Sequence, residues 1–64
     1  MERLELKKFR EKKKITQENM AERLEISYSF YKQLENGYKN PSIKLLKKFR
    51  SVFPDGNIVK FFLD

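Results

Sequence analysis

The 64-residue chain has no cysteine and no histidine, and it holds only two glycines and two prolines. Without cysteine there is neither a disulfide nor a thiolate metal site, and without histidine or cysteine the familiar nucleophile–base pairs of enzymes are missing. No stretch approaches the roughly 18 apolar residues that a membrane span needs. We therefore expect a protein that is not an enzyme, binds no cofactor or metal, and has no membrane anchor.

The length of the chain suffices for one domain with a thin hydrophobic core. Its first ten residues, MERLELKKFR, carry charge from the second position and lack the apolar core of a secretory signal. We expect a single cytoplasmic domain over residues 1–64. The initial methionine and the compact ending also predict a complete gene product.

The charge balance is basic, with 15 Lys and Arg against 9 Asp and Glu, a formal net charge of +6. Such an excess is typical either of an ordinary soluble surface or of a protein with a polyanionic partner. The basic residues are spread from Arg3 to Lys60, which argues against a disordered basic arm. Composition alone does not decide between the two interpretations.

Apolar residues recur at helical spacing throughout the chain, which predicts an all-α fold with five helices. Each of the last four predicted starts has an apolar residue or proline just before it and another apolar residue four positions beyond the cap, the pattern of a hydrophobic staple. The predicted starts are Glu2, Thr16, Ser27, Ser42 and Asp55. The staple pairs for the last four starts are Ile15 with Met20, Ile26 with Tyr31, Pro41 with Leu46, and Pro54 with Val59.

Only Glu25 and Ile26 separate the second predicted helix from the third. So short a connection forces a steep crossing and predicts a helix-turn-helix unit at about residues 16–36, whose second helix enters the DNA major groove in DNA-binding proteins. Similar pairs also occur in proteins that bind no DNA.

The outer face of the third helix is polar and has no carboxylate, as a surface for phosphates and base edges requires. Gln bonds adenine at two points, Lys suits guanine or phosphate, and Ser contacts any base. Singly, each side chain is better explained as ordinary solvated surface; jointly, they favour DNA contact. This face carries Ser29, Lys32, Gln33 and Asn36, with Tyr28 at its margin.

The segment ITQENMAERLEIS at 15–27, followed by LENG at 34–37 and NPS at 40–42, resembles the Cro/repressor family of helix-turn-helix regulators. The similarity runs from Leu6 to about Phe53 without gaps. It implies a compact five-helix bundle of the phage-repressor type, encoded by a bacterium or phage. It also implies a regulator, most simply a repressor, that binds a pseudo-palindromic operator in double-stranded DNA as a dimer. With no effector domain visible, a regulatory protein partner is a further expectation.

The resemblance assigns roles to matching positions. The expected base contacts are Tyr28, Ser29, Lys32 and Gln33. The expected phosphate contacts are Gln17, Asn36, Tyr38, Lys39 and Asn40. Arg10 and Glu35 match a partly buried structural ion pair. Tyr28 is unusual among base-reading residues; contact with a thymine methyl, contact with a phosphate and simple packing are all open.

Two departures from the family pattern concern helix ends. Lys14 and Glu25 stand where relatives often have glycine, so either a left-handed backbone costs roughly 1–2 kcal/mol there or the turn differs. Glu25 also places a carboxylate where it would repel phosphate. An alternative function therefore stays open, a protein-interaction module on the same fold without specific DNA binding.

The C-terminal segment from Ile58 carries five apolar residues in six. Ile58 and Phe62, four residues apart, are expected to close the core. Val59, Phe61 and Leu63 would then be partly exposed and form a contact between two copies of the chain. The alternative is a monomer that buries all three against the fourth helix.

Overall fold

The computed structural model describes residues 1–63, and this part of the chain contains helices and no strand. The expected all-α fold with five helical elements is confirmed, and no helix in the described range is long and apolar enough to cross a membrane. The elements are α1 (Leu4–Lys12), α2 (Gln17–Leu24), α3 (Tyr28–Glu35), α4 (Ile43–Val52) and a π-helical C-terminal segment (Val59–Leu63).

Three hydroxyl side chains cap the starts of α2, α3 and α4. Thr16 accepts from the backbone N–H of Asn19 at 3.0 Å, and Ser27 accepts from that of Phe30 at 3.0 Å. Ser42 accepts from the N–H of Leu45 at 3.1 Å. Each bond satisfies a donor that has no partner inside its own helix, which fixes where the helix begins. The three starts predicted from the sequence are confirmed.

The predicted start of the last helix at Asp55 is wrong. The carboxylate of Asp55 accepts from the Lys13 ammonium at 2.8 Å, and the N–H of Gly56 donates to the Phe53 carbonyl at 3.0 Å in a tight turn. The cap is Asn57, whose side-chain oxygen accepts from the backbone N–H of Lys60 at 3.1 Å. The staple predicted between Pro54 and Val59 fails with it, since both residues lie exposed.

The corners on either side of α2 use left-handed backbone without glycine. Lys14 has φ 58° and Glu25 has φ 60°. Of the two possibilities that the sequence left open, a strained left-handed backbone and a different turn, both residues adopt the first. After α3 the corresponding residue is Gly37, with φ 85°. A Cβ atom there would lie 1.7 Å from the Met1 carbonyl oxygen, so Gly37 is required by space as well as by conformation.

A cluster of phenylalanines joins α1, α4 and the C-terminal segment. The Phe61 ring lies 4.9 Å from that of Phe9 and 5.9 Å from that of Phe49, centroid to centroid. Phe61 is only 8% exposed, so the prediction that it is partly exposed is wrong. The wider turn of a π-helix brings the adjacent Phe61 and Phe62 both inward. Val59 and Leu63 remain exposed, at 60% and 64%.

Candidate nucleic-acid interface

A buried polar cluster behind α3 joins α1, α2 and α3, of which α2 and α3 carry candidate contact residues. Arg10 donates from Nε to Oε2 of Glu35 at 2.9 Å and from Nη2 to Oε1 at 3.1 Å, a two-point ion pair. Its Nη1 donates to the Ile15 carbonyl at 2.7 Å. The Tyr31 hydroxyl donates to Glu35 at 2.6 Å, and the Gln17 amide nitrogen donates to it at 3.1 Å. One carboxylate therefore ties α1, the start of α2 and α3 together.

The ionisation of this cluster follows from its contacts. Desolvation by itself would raise the pKa of Glu35, but the hydrogen bonds from Arg10, Tyr31 and Gln17 outweigh it and the pKa is lowered. Burial, and then the bond to Glu35, raise the pKa of Tyr31. The bond to Glu35 raises the pKa of Arg10. Glu35 is thus held as the anion and Tyr31 as the neutral donor.

The opposite face of α3 lies at the surface. Ser29, Lys32 and Gln33 are exposed, and Tyr28 is 45% exposed. The Lys32 ammonium lies 5.2 Å from the centroid of the Tyr28 ring, within the range of a cation–π contact. These four side chains line one shallow concave surface together with Asn36 and Tyr38, and no carboxylate lines it.

A second concave surface adjoins the first at Tyr28 and lies over the start of α2. Glu18 and Glu22 line it together with Gln17 and Arg10. Because the Arg10 guanidinium is paired with Glu35, the exposed charge on this side is negative. Gln17 is half-buried, and one of its two amide hydrogens is used by Glu35. The structure therefore places Gln17 between the buried cluster and the surface, and it lines a different concave surface from Asn36 and Tyr38.

The loop between α3 and α4 carries those other residues. Tyr38 is 80% exposed, and Lys39 and Asn40 are exposed beside it. Arg3 holds this loop, because its guanidinium donates to the Lys39 carbonyl and to the Asn40 side-chain oxygen, each at 3.0 Å. Sequence reasoning missed Arg3, and no local pattern marks it, since its partners lie more than 30 residues away.

The negative charge that Glu25 places at the turn has a lysine beside it. Its carboxylate lies 3.2 Å from the ammonium of Lys48 on α4, and both side chains are partly or fully exposed. Such a surface pair is weak, but it partly offsets the charge at the turn.

A family model described as Helix-turn-helix matches residues 6–54, which is most of the chain and covers all but the first two residues of α1 together with the whole of α2, α3 and α4. Neither a curated protein nor a solved structure matches at a significant level. The matched range contains the buried cluster, the outer face of α3 and the loop that follows it. The chain therefore belongs to the helix-turn-helix family of Cro/C1-type DNA-binding regulators.

Proposed function

We propose that this protein is a sequence-specific regulator, most simply a repressor, that binds a pseudo-palindromic operator as a dimer. The observation that carries the proposal is the exposed, carboxylate-free face of α3, formed by Tyr28, Ser29, Lys32 and Gln33. An α-helix fits the major groove, where amide and ammonium groups distinguish base pairs through hydrogen bonds. No catalytic role is proposed for any residue.

The backbone contacts are assigned to the rim of this face. Asn36 and Tyr38 line the same concave surface as the base-reading residues, and Lys39 and Asn40 follow in the loop. Gln17 retains one amide hydrogen and its own backbone N–H, at the first position of α2, for a phosphate. Donors at a helix start favour anions, since the helix dipole is positive there.

The dimer contact is assigned to Val59 and Leu63. Two large apolar side chains exposed within one short segment favour association, which would remove them from water. A two-fold dimer presents its recognition helices to half-sites about 34 Å apart. A protein partner, the expression level of the regulator or competition for the same DNA would then set how much of the operator is occupied.

The DNA proposal is tested by selecting ligands from a random duplex library and titrating the enriched duplex by fluorescence anisotropy at several salt concentrations. We expect one enriched sequence, and an affinity that falls steeply with salt because phosphate contacts release counterions. If no sequence is enriched and binding is weak and uniform, specific recognition is wrong. A salt-insensitive protein partner would then favour the protein-interaction module.

The dimer is tested by sedimentation equilibrium of the wild type and of Leu63→Asp at micromolar concentrations. We expect the wild type to associate and the variant to remain monomeric. Ile43→Asp is the matched control, because Ile43 is another exposed apolar residue, 73% accessible, outside the C-terminal segment. A wild type that stays monomeric at high concentration contradicts the assignment.

A further inference from the structure

We propose that Arg3 is a positioning residue for DNA binding, which orients the Asn40 amide so that its N–H donors face the DNA backbone. The inference rests on the proposed function, since it concerns the loop assigned there to phosphate contacts. Arg3 itself is not placed on the DNA.

The contacts of Arg3 form one connected set. Its Nη2 donates to the side-chain oxygen of Asn40 at 3.0 Å. Its Nη1 donates to the carbonyl oxygens of Leu34 at 2.6 Å and Lys39 at 3.0 Å. Its backbone N–H donates to the Glu35 carbonyl at 2.8 Å. The end of α3 and the loop after it are therefore held to the residue that precedes α1.

The guanidinium is also held from the side of the C-terminal segment. Its central carbon lies 5.7 Å from the centroid of the Phe62 ring, and Phe62 is buried. Arg3 is half-buried, and desolvation lowers its pKa from the ordinary value. A side chain enclosed in this way has few other rotamers available, so the direction of its donors is fixed.

The chemistry of the two groups determines which end of the amide points outward. A guanidinium only donates, so the atom of Asn40 that faces Arg3 is the oxygen. The amide nitrogen, with its two N–H donors, then points away from Arg3, and Asn40 is exposed. Phosphate oxygens only accept, so they need this donor end. Without Arg3, the loosely constrained terminal torsion of Asn40 presents either end to the DNA.

A second hydrogen bond of Arg3 satisfies a backbone acceptor that is unfavourable for phosphate binding. The Lys39 carbonyl is an acceptor and would repel a phosphate oxygen that approached it. Its bond to Arg3 satisfies this acceptor within the protein. The loop then offers phosphate its donors, namely the Asn40 amide and the Lys39 ammonium.

The experiment measures binding of Arg3→Met, Asn40→Ala and the double variant to a random-sequence duplex of about 30 base pairs, long enough for two half-sites. We expect each single variant to bind about tenfold more weakly, the effect of one hydrogen bond to a charged group. The double variant should bind no more weakly than either single variant, since both changes remove the same contact.

The slope of affinity against salt separates positioning from direct contact. Because Arg3 holds protein atoms, we expect the slope of Arg3→Met to equal that of the wild type. A slope reduced by about 1 would place Arg3 itself on a phosphate and overturn the inference. Additive losses in the double variant, or wild-type affinity of Arg3→Met, would also overturn it.

Asn40→Asp keeps the test decisive if Arg3→Met fails to fold. Aspartate offers Arg3 an acceptor but offers phosphate no donor. We expect this variant to melt at a higher temperature than Asn40→Ala and yet to bind DNA more weakly; a lower melting temperature overturns the inference.

Absence of wild-type binding to this duplex and to any selected operator would overturn the proposed function and this inference with it. Normal wild-type binding with an unaffected Arg3→Met would overturn the inference alone.

Discussion

The two faces of α3 differ in what satisfies their polar groups. On the inward face, Glu35 is 2% exposed and accepts hydrogen bonds from three side chains of the protein. Among residues 1–63, every buried side-chain nitrogen and oxygen has a partner. On the outward face, Ser29 and Gln33 lie exposed, and the Lys32 ammonium rests against the Tyr28 ring. The inward polar groups hold the fold, whereas the outward ones are available to another molecule.

This difference means that folding and binding should be separable by mutation within a single helix of eight residues. A change at the inward cluster leaves buried charge without a partner, so it lowers the free energy of unfolding. A change on the outward face alters hydration and DNA contacts but leaves the core intact. The predictions below test this separation.

The largest expected effect is on the inward side. Arg10→Met leaves Glu35 buried without its counter-charge and should lower the free energy of unfolding by about 3–5 kcal/mol. Urea denaturation followed by circular dichroism measures the loss. The matched control is Arg10→Met with Glu35→Leu, which removes both charges and should recover much of the stability. Equal stabilities of the single and double variants would contradict the account.

Lowering the pH tests the same cluster without a mutation, because it protonates Glu35. The pKa of Glu35 is lowered in the folded chain from its ordinary value of 4.5, so the unfolded chain binds a proton at higher pH than the folded chain. The stabilisation is therefore complete above about pH 4.5 and is lost as the pH falls through the folded pKa. Thermal melts between pH 7 and pH 2 should show this decline, with a smaller decline in the Arg10→Met, Glu35→Leu double variant. Equal declines in the wild type and the double variant would show that carboxylates other than Glu35 cause the loss of stability.

On the outward side, Lys32→Met should weaken operator binding by about 1–3 kcal/mol while changing stability by no more than about 0.5 kcal/mol. Lys8→Met is the charge-matched control, because Lys8 is exposed on α1 and lines a surface with the C-terminal segment instead. Anisotropy titrations and thermal melts of both variants measure the two quantities. Equal affinity losses would mean that net charge, not position, determines binding.

The smallest expected effect concerns the corner after α1. Lys14→Gly relieves a left-handed backbone and should stabilise the fold by about 0.5–1 kcal/mol, less than the full strain because glycine also loosens the unfolded chain. Lys12→Gly is the control, since Lys12 ends α1 in helical conformation and glycine should destabilise it. If both substitutions lower the free energy of unfolding, the left-handed backbone at Lys14 is not a source of strain.

Local signals in the sequence predicted most of the fold. The caps at Thr16, Ser27 and Ser42 were predictable because a hydroxyl and the N–H that it accepts from lie only three residues apart. The C-terminal segment was not predictable in this way, since the α-helical spacing of 3.6 residues does not describe a π-helix. That spacing assigned Phe61 to the surface, whereas packing on Phe9 buries it.

The candidate interface was predictable as a set of exposed positions but not as a set of contacts. Helical spacing places Lys32 and Gln33 on one face because both belong to the same short helix. Arg3 and Asn40 lie 37 residues apart, and only the packed tertiary structure brings them together. The position of Gln17 against Glu35 likewise depends on how α2 meets α3.

The central claim is that the outward face of α3 reads bases. The most direct measurement compares wild type and Gln33→Ala on the selected operator and on each of its single-base variants. The account predicts that Gln33→Ala loses discrimination at one base position, by about 1–3 kcal/mol, and keeps it elsewhere. A loss of affinity that is uniform across all operator variants, or no loss at all, would contradict the claim.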